Sequence, residues 1–479
     1  MHRRTFLKQA GLGLSAALIP SFLQQCDKEP AKPNILFLFT DDQRFDTIRE
    51  LGNEQIKTPN IDYLVTHGTS FTNGYIMGGT SPAVCAPSRA MVMTGRSLFH
   101  VNKTGTWTYP IPEEHVTLPE HLKNNGYRTF GTGKWHNGRD AFARSFTDGA
   151  KIFFGGMDDH FETAVYDFDQ NGEYPEEQQY VGEKHSTALF SDAVTEFIVD
   201  YDDTKPFFAY VSFMAPHDPR IMPMEFRNMY DPADIPVPDN FMPEHPFDNG
   251  ELKIRDEQLE EWPRTEEAIQ QHIADYYGMI SHIDQHVGRI METLWETGHL
   301  DNTIIVFAGD NGLALGQHGL MGKQNLYEHS IHVPLIFAGV GIPERERREA
   351  FAYLQDIYPT LCDLINIPPP ETAEGYSLRQ VIREDTTGDR DQMYYAYMSY
   401  QRAVRDGDLK LIEYAVDGNR HTQLFNLQED PWELNDLSDN PDYQQDVERL
   451  RQTMVALKEQ YDDDYEDFWN YMEFYESSA

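Results

Sequence analysis

Four short apolar runs decide what kind of sheet this chain can build. Ile35-Leu-Phe-Leu-Phe39, Phe207-Phe-Ala-Tyr-Val-Ser-Phe213, Thr303-Ile-Ile-Val-Phe307 and Val333-Pro-Leu-Ile-Phe337 are apolar on successive positions rather than on alternate ones. A strand with one wet face alternates. A strand covered on both faces does not, which is the mark of a largely parallel sheet between helices. Helices are predicted from Pro59 to His67, from Thr117 to Asn125 and, interrupted near Pro359, from Phe351 to Ile365. A long amphipathic one is predicted over Ala268–Thr297, where Ile269, Ile273, Tyr276, Ile280, Ile283, Val287, Ile290 and Leu294 recur at helical spacing. Its His282 and His286 read as face residues, and Cys362 as an inert core residue. The fold class is α/β, a large mixed, mostly parallel sheet sandwiched by helices.

A chain of 479 residues exceeds one compact core. Pro368-Pro-Pro370 is the boundary candidate, separating residues 34–370 from a smaller α+β unit over 371–479. There Tyr394–Tyr397, Leu409–Tyr414 and Gln423–Leu427 read as antiparallel strands. Residues 137–190, rich in Asp, Glu, Gly and Tyr, read as a loop-rich insertion near a substrate entrance.

The buried strands matter for where they end, because ligands of open α/β sheets bind beyond the carboxyl ends of the strands. Asp41-Asp42 follow the first run, and Gly133-Lys134-Trp135-His136 follow a short strand around Tyr127–Phe130. Pro216-His217-Asp218-Pro219-Arg220 and Asp310-Asn311-Gly312 close two others, with Gln317-His318-Gly319 and Lys323 in the next loop. Adjacent aspartates repel, and a hard divalent cation would hold them, with Asp310 and Asn311 adding hard oxygens. Each residue alone has a bland reading: a solvated turn for Asp41-Asp42, a solvated lysine, a structural histidine. The remaining stretch is Cys85-Ala-Pro87-Ser88-Arg89-Ala-Met-Val-Met-Thr94-Gly95-Arg96. Pro87 suits the first turn of a helix and Gly95 its end, so Cys85 stands at a helix N-terminus, which favours anions. A buried structural cysteine is the reading for such a residue in isolation.

Cys85-x-Pro87-Ser88-Arg89 followed by Thr94-Gly95-Arg96 resembles the signature of type I sulfatases, of the alkaline phosphatase superfamily. Gly133-Lys134-Trp135-His136, Pro216-His217-x-Pro219 and Asp310-Asn311-Gly312 follow the same family's order. Asp430-Pro-Trp-Glu433-Leu-Asn435-Asp-Leu437 resembles an element of its smaller domain. The resemblance implies an alkaline-phosphatase-like fold, and a cysteine, Cys85, converted to formylglycine by a maturation enzyme. It implies one Ca2+, with Mg2+ the lesser alternative, bound by Asp41, Asp42, Asp310, Asn311 and the modified Cys85. It further implies that Arg89 stabilises the formylglycine hydrate, that Lys134 and Lys323 hold sulfate, that His217 protonates the leaving alcohol and that His136 deprotonates the second hydroxyl. A departure is His332, where many relatives have arginine before Val-Pro, and no catalytic role falls to it. The implied substrate is a sulfated sugar or glycan, attacked from its end. His318, Arg220, the His100-to-Trp107 loop and Tyr400-Gln401-Arg402 are candidates for the pocket lining.

A net charge of −40, from 39 Lys+Arg against 79 Asp+Glu, argues against nucleic acid and against general attraction to anionic membranes. Residues 1–25 read as a targeting segment, with Arg3-Arg4-Thr5-Phe6-Leu7-Lys8 similar to the twin-arginine motif of bacteria. Leu23-Gln24-Gln25-Cys26 resembles a loose lipobox, so Cys26 is a candidate for lipidation, and residues 26–33 form a linker. The expected location is the periplasm or the outer membrane, by a lipid tether only. Two other readings compete: a phosphodiesterase or phosphonate monoester hydrolase of the same superfamily, and a non-catalytic sulfated-glycan-binding protein in which Cys85 stays unmodified.

Overall fold

The structure, a computed structural model, describes residues 32–101, 107 and 109–471. The expectations for the leader, for Cys26 and for residues 102–106 lie outside these. From Pro33 onward the chain forms one compact unit, and the boundary expected at Pro368–Pro370 falls within it.

Eight strands make the main sheet: β1 (Asn34–Thr40), β2 (Gly68–Phe71), β3 (Arg128–Lys134), β4 (Asp148–Phe153), β5 (Phe207–Ser212), β6 (Thr303–Gly309), β7 (Leu335–Gly339) and β8 (Glu346–Arg348). Their spatial order is β8-β2-β7-β6-β1-β5-β3-β4. β1 lies parallel to β6, Asn34 facing Thr303 and Thr40 facing Gly309, and parallel to β5 on its other side. Only β7 of the eight runs against the rest.

The unbroken apolar character of β1 has a direct cause. Ile35, Phe37 and Phe39 pack into one core layer, while Leu36 and Leu38 pack into another. The second layer is covered by helices α1 (Pro59–Thr66), α4 (Ser186–Val199) and α5 (Glu266–Glu296). The first layer takes α2 (Cys85–Thr94), α3 (Leu118–Asn124) and α6 (Ile357–Leu364). Thr117 caps α3 in a reciprocal capping box with Glu120. Gly95 ends α2 in the left-handed region, φ 67°, and returns its N–H to Met91 O.

A second sheet of β9 (Gln392–Tyr397), β10 (Gln401–Asp406), β11 (Leu409–Val416) and β12 (Asn419–Asn426) is antiparallel, with α7 (Gln444–Gln460) packed against it. Its edge is completed by Gly78–Gly79 from just before α2, pairing parallel with β9. The C-terminal sheet is thereby stitched to the segment that carries Cys85.

Three expectations change. The helix predicted from Phe351 starts only at Ile357, so that Pro359 falls in its first turn; Ala352–Tyr353 pair instead with Gly74–Tyr75. Residues 137–190 are more than loop: they hold a helix, Arg139–Ser145, and the edge strand β4, whose outer positions are half-buried and mask the apolar pattern. β10 escapes a hydrophobicity reading because Gln401, Arg402 and Arg405 are buried in it and paired, Arg402 with Asp463.

Candidate active site

The carboxyl ends of β1, β3, β5 and β6 point the same way, and their exits bring Asp41-Asp42, Lys134-His136, His217 and Asp310-Asn311 to the N-terminus of α2. Cys85 is the first residue of that helix and is 2 % exposed. Its Sγ lies 3.4 Å from Lys134 Nζ and 3.4 Å from His136 Nδ1. Two of the site's residues, Asp42 and His136, hold positive φ values of 67° and 66°, a conformation uncommon for residues with side chains and concentrated at functional sites.

The charges interlock. Lys134 Nζ donates to Asp41 Oδ2 at 2.5 Å, and Lys323 Nζ to Asp42 Oδ1 at 2.6 Å. Arg89 donates through Nε to Asp310 Oδ2 at 2.8 Å and through Nη1 to Lys134 O at 3.1 Å and to Ser212 Oγ. Asp42 N–H donates to Asp310 Oδ1, and Asn311 Nδ2 to Asp42 Oδ1 at 2.7 Å. From α5, Tyr276 fixes the turn, its hydroxyl donating to Asp42 O and accepting from Arg44 N.

Among the described residues, Asp41 Oδ1, Asn311 Oδ1 and Arg89 Nη2 of this interior have no hydrogen-bond partner, Arg89 Nη2 lying 3.9 Å from Asp41 Oδ1. A buried acceptor left bare costs roughly 1–3 kcal/mol, and natural proteins avoid it unless something else completes the site. One carboxylate oxygen each of Asp41 and Asp310 lies within 4.8 Å of the other and of Cys85 Sγ, and Asp41, Asp42 and a nitrogen of His217 form a second such group. Bare carboxylate and amide oxygens fit a hard, oxygen-seeking cation.

Electrostatics separate the members. Burial pushes the Asp41 carboxyl up, but Lys134, His217, Arg89 and Lys323 outweigh it and hold it well below the usual range. Asp310 moves the other way, pushed up by burial and by the charge on Asp41. Burial pushes the Cys85 thiol up, further than Lys134 and Lys323 pull it down, so the plain thiol stays protonated and is a weak nucleophile. Burial, then Lys134 and Arg89, keep His136 neutral. His217 Nδ1 donates to Asp218 O at 2.8 Å, so Nε2, 3.7 Å from Asp42 Oδ2, is the nitrogen at which a proton can be exchanged. Asp218 is held in turn by Arg255.

Above this interior opens a cavity of about 860 Å3, lined by Cys85, His136, His217 and Lys323. Its walls also include Phe153, Phe154, Tyr166, Arg139, Arg255, Asp256 and Gln324. None of these wall residues stands out in the sequence; the available signal was the aromatic density of an otherwise acidic, glycine-rich stretch. The proposed pocket residues fare unevenly. Trp107 lines the cavity. Arg220 is turned to His272 Nδ1 at 2.9 Å, and His318 stacks on Tyr327 at 4.0 Å. His100 bonds Glu374 and Asp462, and Arg402 bonds Asp463. These four lie outside the residues that line the cavity. His332 is structural, stacked on Phe45 at 3.8 Å and 3.2 Å from Glu328.

A sheet of this topology, with a nucleophile position, acidic oxygens and cations gathered at its strand exits, fits the class of hydrolases that act on anionic esters. Within it the chain belongs to the sulfatase family: the Sulfatase family model matches residues 33–367, and that described as N-sulphoglucosamine sulphohydrolase, C-terminal, matches residues 316–460. The chain is 29% identical to an arylsulfatase of Clostridium perfringens, over 91% of this chain and 96% of that protein. It is 26% identical to an N-acetylglucosamine-6-O-sulfatase of Bacteroides thetaiotaomicron, over 94% and 91%. In structure it matches a protein solved in complex with its substrate D-glucosamine-2-N,6-O-disulfate, with a TM-score of 0.77 and 24% identity, over 91% of this chain and 99% of the other. The phosphonate monoester hydrolase of Agrobacterium radiobacter shares the fold, with a TM-score of 0.72 and 21% identity, over 90% and 96%. The protein is a sulfuric ester hydrolase.

Proposed function

We propose that this sulfatase removes sulfate from a sulfated sugar, using a formylglycine made from Cys85 and one Ca2+ held by Asp41, Asp42, Asp310 and Asn311. The observation that carries the reading is the pair of bare buried acceptors, Asp41 Oδ1 and Asn311 Oδ1, beside Cys85 and its two lysines. Formylglycine would supply the attacking hydroxyl, and Ca2+ would polarise the sulfate oxygens as a Lewis acid.

The chain's own residues supply the rest. Lys134 and Lys323, now on Asp41 and Asp42, are placed to neutralise charge that builds on the transferring group. Arg89, fixed by Asp310 and Ser212, keeps Nη2 without a hydrogen bond, 3.9 Å from Asp41 Oδ1. His217 is the donor for the departing alcohol, because it lines the cavity and its Nε2, 3.7 Å from Asp42 Oδ2, is left over while Nδ1 is committed to Asp218 O. His136, neutral and in contact with position 85, is the base there. The walls of the cavity admit a sugar, and two relatives point to that class: the N-acetylglucosamine-6-O-sulfatase and the protein solved with a glucosamine disulfate.

The test is hydrolysis of an aryl sulfate and a sulfated N-acetylhexosamine by protein made with a maturation enzyme, alongside an aryl phosphate diester. Sulfate release that disappears in Cys85→Ala, together with a formylglycine mass at position 85, is expected. A preference for the diester, or full sulfate release by chain carrying an intact thiol, would overturn it. The leader-like residues 1–25 and Cys26 support export to the periplasm or outer membrane. Fractionation of the native host with and without Cys26→Ala tests that part.

A further inference from the structure

The cations that line the cavity do not share one condition. Lys323 is committed to Asp42, and Arg255 is taken by Asp218 and Asp256. Arg139 lines the same cavity and, among the described residues, has no carboxylate within ion-pair distance. Of the two arginines among the residues that line the cavity, Arg139 is the one without an acid.

Arg139 is an exposed residue, but its guanidinium is held on several sides. Nη1 donates to Tyr174 O at 2.6 Å and Nη2 to Tyr166 Oη at 3.1 Å. Its guanidinium stacks over the rings of Tyr166 and Phe154, 5.0 and 5.6 Å from their centroids. Those rings brace each other through Tyr174, Phe154 to Tyr174 being 4.7 Å and Tyr166 to Tyr174 5.7 Å. Two of the five guanidinium N–H donors are spent on this clamp, so a charged, pre-oriented fork retains three. An arginine held in place this way loses little entropy on binding, and a planar fork matches a carboxylate or a sulfate.

We propose that Arg139 is a second anion subsite, so that the substrate carries, besides the ester that is cleaved, another anionic group. The proposal rests on the sulfatase reading above and adds to it a substrate class: a sulfate ester with a second sulfate or a carboxylate. The lining of the cavity then carries two anion-attracting groups, Lys323 near Cys85 and Arg139, which offset the repulsion that a net charge of −40 imposes on a polyanionic ligand.

The test compares kcat/KM for a disulfated hexosamine and for a sulfated uronate-containing disaccharide with that for a neutral monosulfated hexosamine, in wild type, Arg139→Gln and Arg139→Lys. Ratios between substrates on one preparation do not depend on how much of it is folded or matured. The expected result is a wild-type preference for one doubly anionic substrate that falls at least tenfold in Arg139→Gln, mainly through KM, and is partly kept in Arg139→Lys. Whichever of the two preferences collapses identifies the second group as sulfate or carboxylate. A wild type without the preference, or a ratio that moves less than twofold in Arg139→Gln, overturns the subsite while leaving the sulfatase reading intact. If wild type cleaves none of these nor an aryl sulfate, the sulfatase reading fails first.

Discussion

Around Cys85, the buried carboxylates of Asp41, Asp42 and Asp310 face Arg89, Lys134 and Lys323, and still leave Asp41 Oδ1, Asn311 Oδ1 and Arg89 Nη2 bare. Around Lys410, the equally buried Glu328 and Glu433 leave nothing bare. Lys410 Nζ bonds Glu328 Oε1 at 2.9 Å and Glu433 Oε1 at 2.8 Å. Glu328 Oε2 accepts from Tyr75 Oη at 2.8 Å, with His332 Nδ1 at 3.2 Å, and Glu433 Oε2 accepts from Glu328 N at 2.8 Å. Both clusters remove charge from water, which costs several kcal/mol per ion. The second recovers that cost within itself and ties β11 and the 430s loop to the segment before β7. On the proposed reading the first is completed by a partner from outside. Satisfied buried charge marks architecture, and unsatisfied buried charge beside a cavity marks chemistry.

The largest effect should come from Cys85→Ala. Sulfate release should fall more than a thousandfold while the thermal midpoint stays within about 2 °C, since one small buried side chain replaces another. An unchanged rate would remove position 85 from the reaction. Lys410→Met should do the reverse. It leaves Glu328 and Glu433 facing each other without the lysine between them and should cost about 3–5 kcal/mol in a denaturant titration, with activity per folded molecule held within twofold. A variant as stable as wild type would erase the distinction between the clusters. Chelation should reduce activity on the order of a hundredfold, with recovery on adding Ca2+ and a lower thermal midpoint in between. Chelator-treated Lys410→Met and wild type should lose the same fraction.

The smallest effect concerns a buried group of histidines that meets the active site where His160 bonds His217 O. His160, His185, His282 and His286 pack as neighbours, with centroid separations of 5.0, 4.5 and 4.9 Å. Burial drives them down to about 4, 3, 2 and 4 respectively. Around them are Ser186 and His217 O on His160, with the His217 and Asp41 side chains nearby, Ile221 O on His185, and Asp192, Lys184 and Arg289 near His286. Lowered histidine values mean that the unfolded chain binds more protons below pH 6.5. Stability is therefore full above that pH and is lost as the pH falls toward 4. Each histidine should add about 1.4 kcal/mol per pH unit to the slope, and His282→Phe should remove one such share. A slope unchanged in that variant would assign acid loss to the carboxylate clusters instead.

Much of the active site was legible because its residues follow buried strands directly. Asp41, Lys134, His136, His217 and Asp310 each lie within a few positions of an apolar run, and a parallel sheet must bring such positions to one edge. The wall of the cavity was not legible. Arg139, Phe154 and Tyr166 meet through an edge strand and turns whose sequence carries no period. Glu328, Lys410 and Glu433 could not be paired from sequence either, since 82 residues separate Glu328 from Lys410 and 23 separate Lys410 from Glu433. The charged residues of β10 disguised a strand for the same reason: buried polar groups that find partners in three dimensions look exposed in one.

The most direct measurement is a calorimetric Ca2+ titration of the chelator-stripped protein. One site per chain is predicted in wild type and in Glu433→Gln, and none in Asp41→Ala, because only the first cluster has bare oxygens to offer. Binding that survives in Asp41→Ala, or that is absent from wild type, would contradict the claim that those bare acceptors mark the catalytic metal site.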